Sequence, residues 1–350
     1  MTNNVPLSYP KILIIGLFLS NENKNKIARS ASDQLAEVLE ANQYQVIRSS
    51  YFVDRIKRMI DTASTIIFKR DQYDIAIVPL YNGSNSFIWQ DVSVRILKFL
   101  KKKTILILHG GAIPQKMNEN PGKYISSITR ANIVVCPSNY IVNALEEHGI
   151  QSLLIENVLQ LKDYKEQFKK HFRPKLVWMR TFEDVYNPLM AVRAFALLQK
   201  KYPEAKMVMA GHDKGMLQQT IHLAKELNVF DSIEFPGYIS KEQKNQFAAD
   251  FDFYICTNQI DNAPVSLVEM MAMGLPVITV DSGGIPFMVT DGHNGMMVKY
   301  NDEQAMFEKI DSIISDSRLG LEIVANAKAY AMQFGEKPVL KKWEHVFEML

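Results

Sequence analysis

Between Asp261 and Pro286 the chain reads DNAPVSLVEMMAMGLPVITVDSGGIP, and a carboxylate, Glu269, stands inside one of its most apolar runs. A charged group in such a setting needs a partner or a ligand. The residues before it suggest a ligand. Pro264 can pre-set the first turn of a helix running to about Met273, Asn262 or Asp261 can cap it, and Gly274 suits the left-handed residue that ends it. The first amides of such a helix, from Val265, Ser266 and Leu267, point out of its N-terminus with the positive end of the dipole, which makes a phosphate site. Glu269 lies four residues after Val265 and three after Ser266, so it shares their face and leans back toward the N-terminus. One turn from a phosphate, its oxygens can accept hydrogen bonds from the vicinal diol of a nucleotide ribose. The competing arrangement is a buried ion pair with a basic residue of another domain.

What must position this helix is legible in the apolar patterning. Short runs rich in Ile, Val and Leu recur at 11–16, 44–49, 74–80, 104–109, 132–138 and 152–157, each reading as a strand buried on both faces. Segments with helical spacing lie between them, among them 28–42, 54–68 and 140–149. The alternation implies a parallel sheet with right-handed crossovers. After Asn157 comes a charged stretch, KDYKEQFKKHFRPK, without strand character; the alternation then resumes at 175–180, 205–211, 232–237, 252–257 and 275–280. The fold class is therefore α/β with two Rossmann-like, doubly wound domains, 1–160 and 161–332. A C-terminal helix, 333–350, offers Trp343, Val346 and Phe347 as a buried face that can pack back toward the first domain. Two such sheets would place a ligand in a crevice facing the carboxyl ends of both sets of strands. His109 ends the strand TILILH just before Gly110 and Gly111, so it is expected to face that crevice rather than the core.

Composition narrows the chemistry. A net charge of +2, with 47% hydrophobic and 22% charged residues, excludes the strong field of a dedicated nucleic-acid binder. The basic runs Lys101–Lys103 and Lys169–Lys175 read as solvated surface or as peripheral membrane contacts. Cys136 and Cys256 sit in apolar strands and read as reduced core thiols. The N-terminus lacks the basic and apolar regions of a signal peptide, which implies a cytoplasmic protein, and Asn82-Gly83-Ser84 reads as a turn rather than a glycosylation site. Neither Gly-x-Gly-x-x-Gly nor a P-loop occurs. Asp250-Phe251-Asp252 could present two carboxylates to a metal only if Phe251 were exposed, and the histidines lack ligand spacing, so no metal or other cofactor is expected.

With these residues in view, the stretch Asp261 to Gly295 resembles the donor-site signature of the retaining GT-B glycosyltransferases of family 4, also called glycosyl transferases group 1. That signature has two glutamates separated by seven residues, followed by Ala-Met-Ala-x-Gly-x-Pro-Val. Here Glu269 matches the second glutamate, Met270-Met271-Ala272-Met273-Gly274-Leu275-Pro276-Val277 the sequence after it, and Asp261 replaces the first. Gly283-Gly284-Ile285-Pro286 and Asp291-Gly292-His293-Asn294-Gly295 continue the likeness, which is weak in the first half of the chain.

The resemblance implies a set of roles. Arg180, ending the strand KLVWMR, matches an arginine on the donor diphosphate, and Gly237-Tyr238-Ile239 lies where the family meets the nucleobase. Asn262, Val265, Ser266 and Leu267 then belong to the donor site, and Asp261 to the sugar hydroxyls. His109 matches a histidine near the sugar's 6-hydroxyl. The family's lysine five residues after the arginine is absent, replaced by Val185-Tyr186-Asn187-Pro188, and Lys214 is the candidate substitute. Gly16, alone in a loop where the family is glycine-rich, lines the acceptor side together with Gly110 and Gly111. The implied activity is transfer of a sugar from a nucleoside diphosphate donor to a glycan, lipid-linked glycan or small molecule with retention of configuration. A non-catalytic nucleotide-sugar-binding protein and a sugar-nucleotide epimerase share the scaffold and are the alternatives.

Overall fold

The computed structural model describes residues 9–20 and 30–350. The N-terminal segment before Tyr9 and the stretch 21–29, which includes Asn21 of the first loop and the beginning of the first expected helix, lie outside the described residues. The chain divides into two units, Met1–Leu159 with Glu336–Leu350, and Gln160–Gly335.

Unit 1 contains strands β1 (Ile12–Ile15), β2 (Val46–Ser49), β3 (Ile75–Leu80), β4 (Lys103–Leu108), β5 (Ile133–Cys136) and β6 (Leu153–Leu154). They form one parallel sheet in the order β2-β1-β3-β4-β5-β6. The crossovers carry α1 (Ala31–Ala41), α2 (Arg55–Phe68), α3 (Ser84–Phe99), α4 (Ile113–Glu119), α5 (Pro121–Ile128) and α6 (Asn139–Glu146). Side chains alternate across a strand, so the apolar runs feed two cores at once. Leu13, Ile15, Val78, Leu106 and Leu108 pack on one face of the sheet, and Ile12, Ile14, Ile77, Ile105 and Ile107 on the other. Helix α1 starts on a reciprocal cap, Ser30 accepting from the Asp33 amide while the Asp33 carboxylate accepts from the Ser30 amide. The Asn82-Gly83-Ser84 stretch is a helix start, with Gly83 in the cap position of α3.

Unit 2 repeats the plan with β7 (Lys175–Met179), β8 (Lys206–Ala210), β9 (Ile233–Gly237), β10 (Phe253–Cys256), β11 (Val277–Val280) and β12 (Met296–Val298). Their order is β12-β11-β10-β7-β8-β9, again all parallel. Its helices are α7 (Pro188–Lys201), α8 (Leu217–Glu226), α9 (Lys241–Asp250), α10 (Val265–Met273), α11 (Glu303–Ser315) and α12 (Ser317–Ala331). The chain then returns to unit 1 as α13 (Glu336–Glu348), whose Val339, Trp343, Val346 and Phe347 join the core containing Ile12 and Ile14.

All eleven strands read from the sequence are present, and β12 is an addition to them. The run 152–157 pairs only at Leu153 and Leu154, where β6 closes the edge of its sheet. Cys136 and Cys256 are both buried free thiols, and burial pushes the Cys136 pKa up to about 12.

Candidate functional site

In an open parallel sheet, ligands bind beyond the carboxyl ends of the strands where the winding changes direction. In unit 2 that point lies between β7 and β10, since β8 follows on one side of β7 and β10 pairs on the other. Arg180 is the first residue after β7, and Asp261 lies in the loop that leaves β10. The fold brings them together: Arg180 Nη2 donates to Asp261 Oδ2 at 3.0 Å. Both side chains are largely covered, at 15% and 21% exposure. Burial works most strongly against the Arg180 charge, but Asp261 together with the surrounding Tyr254, Cys256 and Tyr186 outweighs it and holds the guanidinium pKa above its ordinary value. The guanidinium also sits 5.5 Å from the centroid of the Tyr186 ring.

The pair is not saturated. Arg180 Nε and the side-chain oxygen of Asn258 are buried without a hydrogen-bond partner. Asn258 donates its amide to Asp261 Oδ2 at 2.8 Å, so donor, acceptor and carboxylate form one cluster. Buried polar groups are nearly always satisfied, and exceptions call for a ligand, an ion or water.

Helix α10 begins beside this cluster in sequence, and here the expected cap is corrected. Pro264 occupies the cap position with ψ 105, so the helix starts at Val265, and no side chain caps it. Asp261 is engaged elsewhere: its Oδ1 accepts from the Asn262 amide at 2.8 Å. The Leu267 amide is also spoken for, donating to Pro264 O at 3.1 Å. Val265 and Ser266 remain as the first-turn amides that an α-helix leaves without an intrahelical acceptor. The Ser266 hydroxyl pairs with the Tyr254 hydroxyl at 2.8 Å. Gly274 ends the helix in the left-handed conformation, φ 84, as its sequence position implies.

The glycine pair after β11 has a steric cause. Gly284 donates to Asp261 O at 2.7 Å, and a Cβ at Gly284 would stand 1.7 Å from Asn262 O. Any side chain there would drive out the loop that carries Asp261.

Glu269 is buried at 5% exposure and already has two partners. Its Oε1 accepts from the Tyr164 hydroxyl and its Oε2 from Lys244 Nζ, each at 2.7 Å. The basic partner belongs to unit 2 itself, not to another domain. A carboxylate offers about four lone-pair directions, so two remain.

The other expected residues divide as follows. Gly237 ends β9 at φ 76, Tyr238 stacks on His212 with centroids 4.7 Å apart, and Ile239 is buried. Lys214 is exposed and paired with Glu183 at 3.3 Å. Asp252 accepts from Arg173 and Lys169 at 2.8 Å each, and Phe251 is buried, so this carboxylate of the acidic triplet is held by two cations of the basic run. Among the described residues no group of three or more His, Cys, Asp and Glu is placed to hold a metal ion.

In unit 1, His109 follows β4 and stacks on Tyr81, which follows β3, with ring centroids 5.1 Å apart. Burial lowers its pKa from 6.5 to about 4, so it is neutral at pH 7. It lines a small cavity with Ser32, Glu156 and Trp343. Gly110 lets Asn82 approach, since a Cβ there would meet the Asn82 side-chain oxygen at 2.2 Å, and Gly111 follows it in the same turn. Gly16 packs tightly under Ser32.

Comparison with known proteins bears on this arrangement. Residues 161–330 match the family Glycosyl transferases group 1. The group 1 stretch thus holds Arg180, Asn258, Asp261 and Glu269. An uncharacterized glycosyltransferase of Haemophilus influenzae is 25% identical over 159 residues, which is 44% of this chain and 43% of that protein. The chain therefore matches less than half the length of that relative. Anabaena HepE, solved with UDP, superposes with a TM-score of 0.75 at 17% identity, covering 97% of this chain and 100% of that one. A sucrose-phosphate synthase from Thermosynechococcus elongatus gives 0.75 at 16% identity, covering 97% and 98%. These likenesses show that the two six-stranded sheets are those of the GT-B fold.

Sequence reasoning missed Asn258, Tyr164 and Lys244. Asn258 had a signal, lying just past the carboxyl end of the strand DFYICT at the point where the winding reverses. Tyr164 and Lys244 are 105 and 25 residues from Glu269, and nothing local marks them.

Proposed function

We propose that this chain is a retaining glycosyltransferase that moves a sugar from a uridine diphosphate donor to a hydroxyl acceptor without a metal. The observation that carries the reading is the unsaturated cluster of Arg180, Asn258 and Asp261 at the winding reversal of the group 1 unit. A diphosphate there would accept from Arg180 Nε and from the amides of Val265 and Ser266, and would draw Arg180 away from Asp261. The freed carboxylate would then accept from the sugar hydroxyls. Glu269 would use its two remaining lone-pair directions for the ribose diol, while Gly237, Tyr238 and Ile239 would border the base.

The bond between the anomeric carbon and the diphosphate oxygen breaks as the acceptor oxygen adds on the same face, and the departing phosphate takes the acceptor's proton. Arg180 and the helix amides stabilise the charge that develops on the leaving group. Uridine is chosen because Anabaena HepE has been solved with UDP and with UDP-glucose.

The test is a thermal-shift panel of UDP-, GDP- and ADP-sugars on the purified protein. A bound donor at a hundred times its dissociation constant stabilises by about 2.7 kcal/mol. A shift with UDP-sugars that disappears in Arg180→Met is expected, and no shift with any nucleotide sugar would refute the reading.

A further inference from the structure

Helix α2 carries its apolar residues on the wrong side for a core. Its buried residues are Thr62 and Ile66, with Thr62 accepting from the Trp89 indole of α3 at 3.1 Å and Arg58 lying over the Trp89 ring. Ile56, Ile60 and Ile67, spaced by four and seven, share the outward side; Ile56 is 71% and Ile60 62% exposed. The neighbouring α3 repeats the pattern with Ile88, Val92 and Phe99, the last 85% exposed. Two packed helices of unit 1 thus turn apolar stripes outward, and contiguous exposed apolar surface rimmed by polar residues marks an interaction site.

The charge around these stripes selects the partner. Segments 51–70 and 95–103 contain ten cationic and two acidic residues, in a chain whose net charge is only +2. Arg55 and Lys57 flank the N-terminal end of the α2 stripe, Lys69 and Arg70 its C-terminal end, and Arg95 pairs with Asp91 on α3. At the foot of α3 a cavity of about 370 Å³ is lined by Lys98, Lys101, Lys102, Lys103, Arg130 and Asn132. Lys102 donates to Tyr73 O and Arg130 to Asp91, while Lys98, Lys101 and Lys103 are exposed and have no ion-pair partner among the described residues. A second copy of this face would set like charge against like charge.

We propose that the outward side of α2 and α3 docks unit 1 on an anionic lipid bilayer. The isoleucines and Phe99 sink into the boundary between headgroups and acyl chains, the flanking cations reach out along their own stems, and the lysine-lined cavity takes lipid phosphates. No helix is long and apolar enough to cross a membrane among the described residues, so the contact lies on the surface. This surface is independent of the donor-site reading.

The experiment is flotation of the purified chain with phosphatidylcholine vesicles, with and without phosphatidylglycerol. Flotation with the anionic vesicles alone is expected. Ile56→Ser combined with Ile60→Ser should abolish it, and Lys98→Ala, Lys101→Ala and Lys103→Ala should each weaken it about fivefold. Both isoleucines are exposed, so the melting temperature and the UDP-induced thermal shift should be unchanged. The proposal is overturned if the wild type stays with the bottom fraction, or if the isoleucine variant floats as well as wild type. It is also overturned if the variant changes only the sedimentation of a self-associated or protein-bound form, since the face would then belong to a protein interface.

Discussion

Replacing Glu269 by Gln separates two roles that one carboxylate can hold. The side chain is 7% exposed and accepts from Lys244 and Tyr164, both at 2.7 Å. Glutamine keeps an oxygen for the Tyr164 hydroxyl but turns a donor toward the Lys244 ammonium. A hydrogen bond to a charged group contributes about 1.5–3 kcal/mol, and Lys244, at 22% exposure, can partly escape to water, so the cost to stability is about 2 kcal/mol. For a unit of this size that lowers the melting temperature by about 4–8 °C.

The ligand arm is larger. If the ribose diol donates both hydroxyls to the carboxylate, 2′,3′-dideoxy-UDP loses two charge-assisted bonds, about 3 kcal/mol or more, which is at least about a hundredfold in affinity. In Glu269→Gln a single neutral acceptor remains, and the preference should shrink to about tenfold or less. Calorimetric titration of both ligands into both proteins gives the four affinities. Lys244→Met is the control, losing comparable stability while keeping the preference for UDP. Equal binding of the two ligands by wild type, or an undiminished preference in Glu269→Gln, would refute ribose recognition by Glu269.

Three further outcomes follow from particular contacts. Asp261→Asn removes the counter-charge of a mostly buried guanidinium and should cost about 2–4 kcal/mol in urea unfolding; an unchanged midpoint would show that Asp261 does not hold Arg180. Gly284→Ala forces a Cβ to 1.7 Å from Asn262 O and should cost about 3 kcal/mol or more with loss of nucleotide binding, whereas Gly122→Ala, with nothing within 4 Å, should be neutral or stabilising by thermal melts. His109 is held neutral, its pKa lowered from 6.5 to about 4 by burial, so its contribution is intact above pH 6.5 and is lost as pH falls toward 4. His109→Gln should flatten the stability profile in that window, where the wild-type slope from this group is at most about 1.4 kcal/mol per pH unit, and an unaltered profile would remove the histidine from that role.

The sheets were legible because strands buried on both faces announce themselves as unbroken apolar runs. Met296–Val298 escaped notice because three residues after a turn carry no period, and the edge run at 152–157 promised more pairing than one neighbour can supply. Helical spacing identified 54–68 but could not say which side is inward. Thr62, which accepts from the Trp89 indole, and Ile66 are buried, whereas Ile56 and Ile60 are exposed. At the site, the structure brings Arg180 and Asp261 together and buries Glu269, while the partners of Glu269 carried no local signal. Pairings such as Glu269 with Tyr164 join residues 105 apart, and only the folded chain decides them. Pro264 has the φ of a helical residue but an extended ψ, which no composition rule distinguishes.

The most direct measurement is release of nucleoside diphosphate from UDP-sugars by the purified protein, in EDTA, with wild type and Arg180→Met side by side. Turnover should persist in the chelator, with the configuration of any transferred sugar retained by NMR, and should vanish in Arg180→Met while that variant remains folded. Donor cleavage that requires an added metal, or that proceeds equally well without the Arg180 guanidinium, would contradict the assignment of leaving-group stabilisation to Arg180 and the first turn of α10.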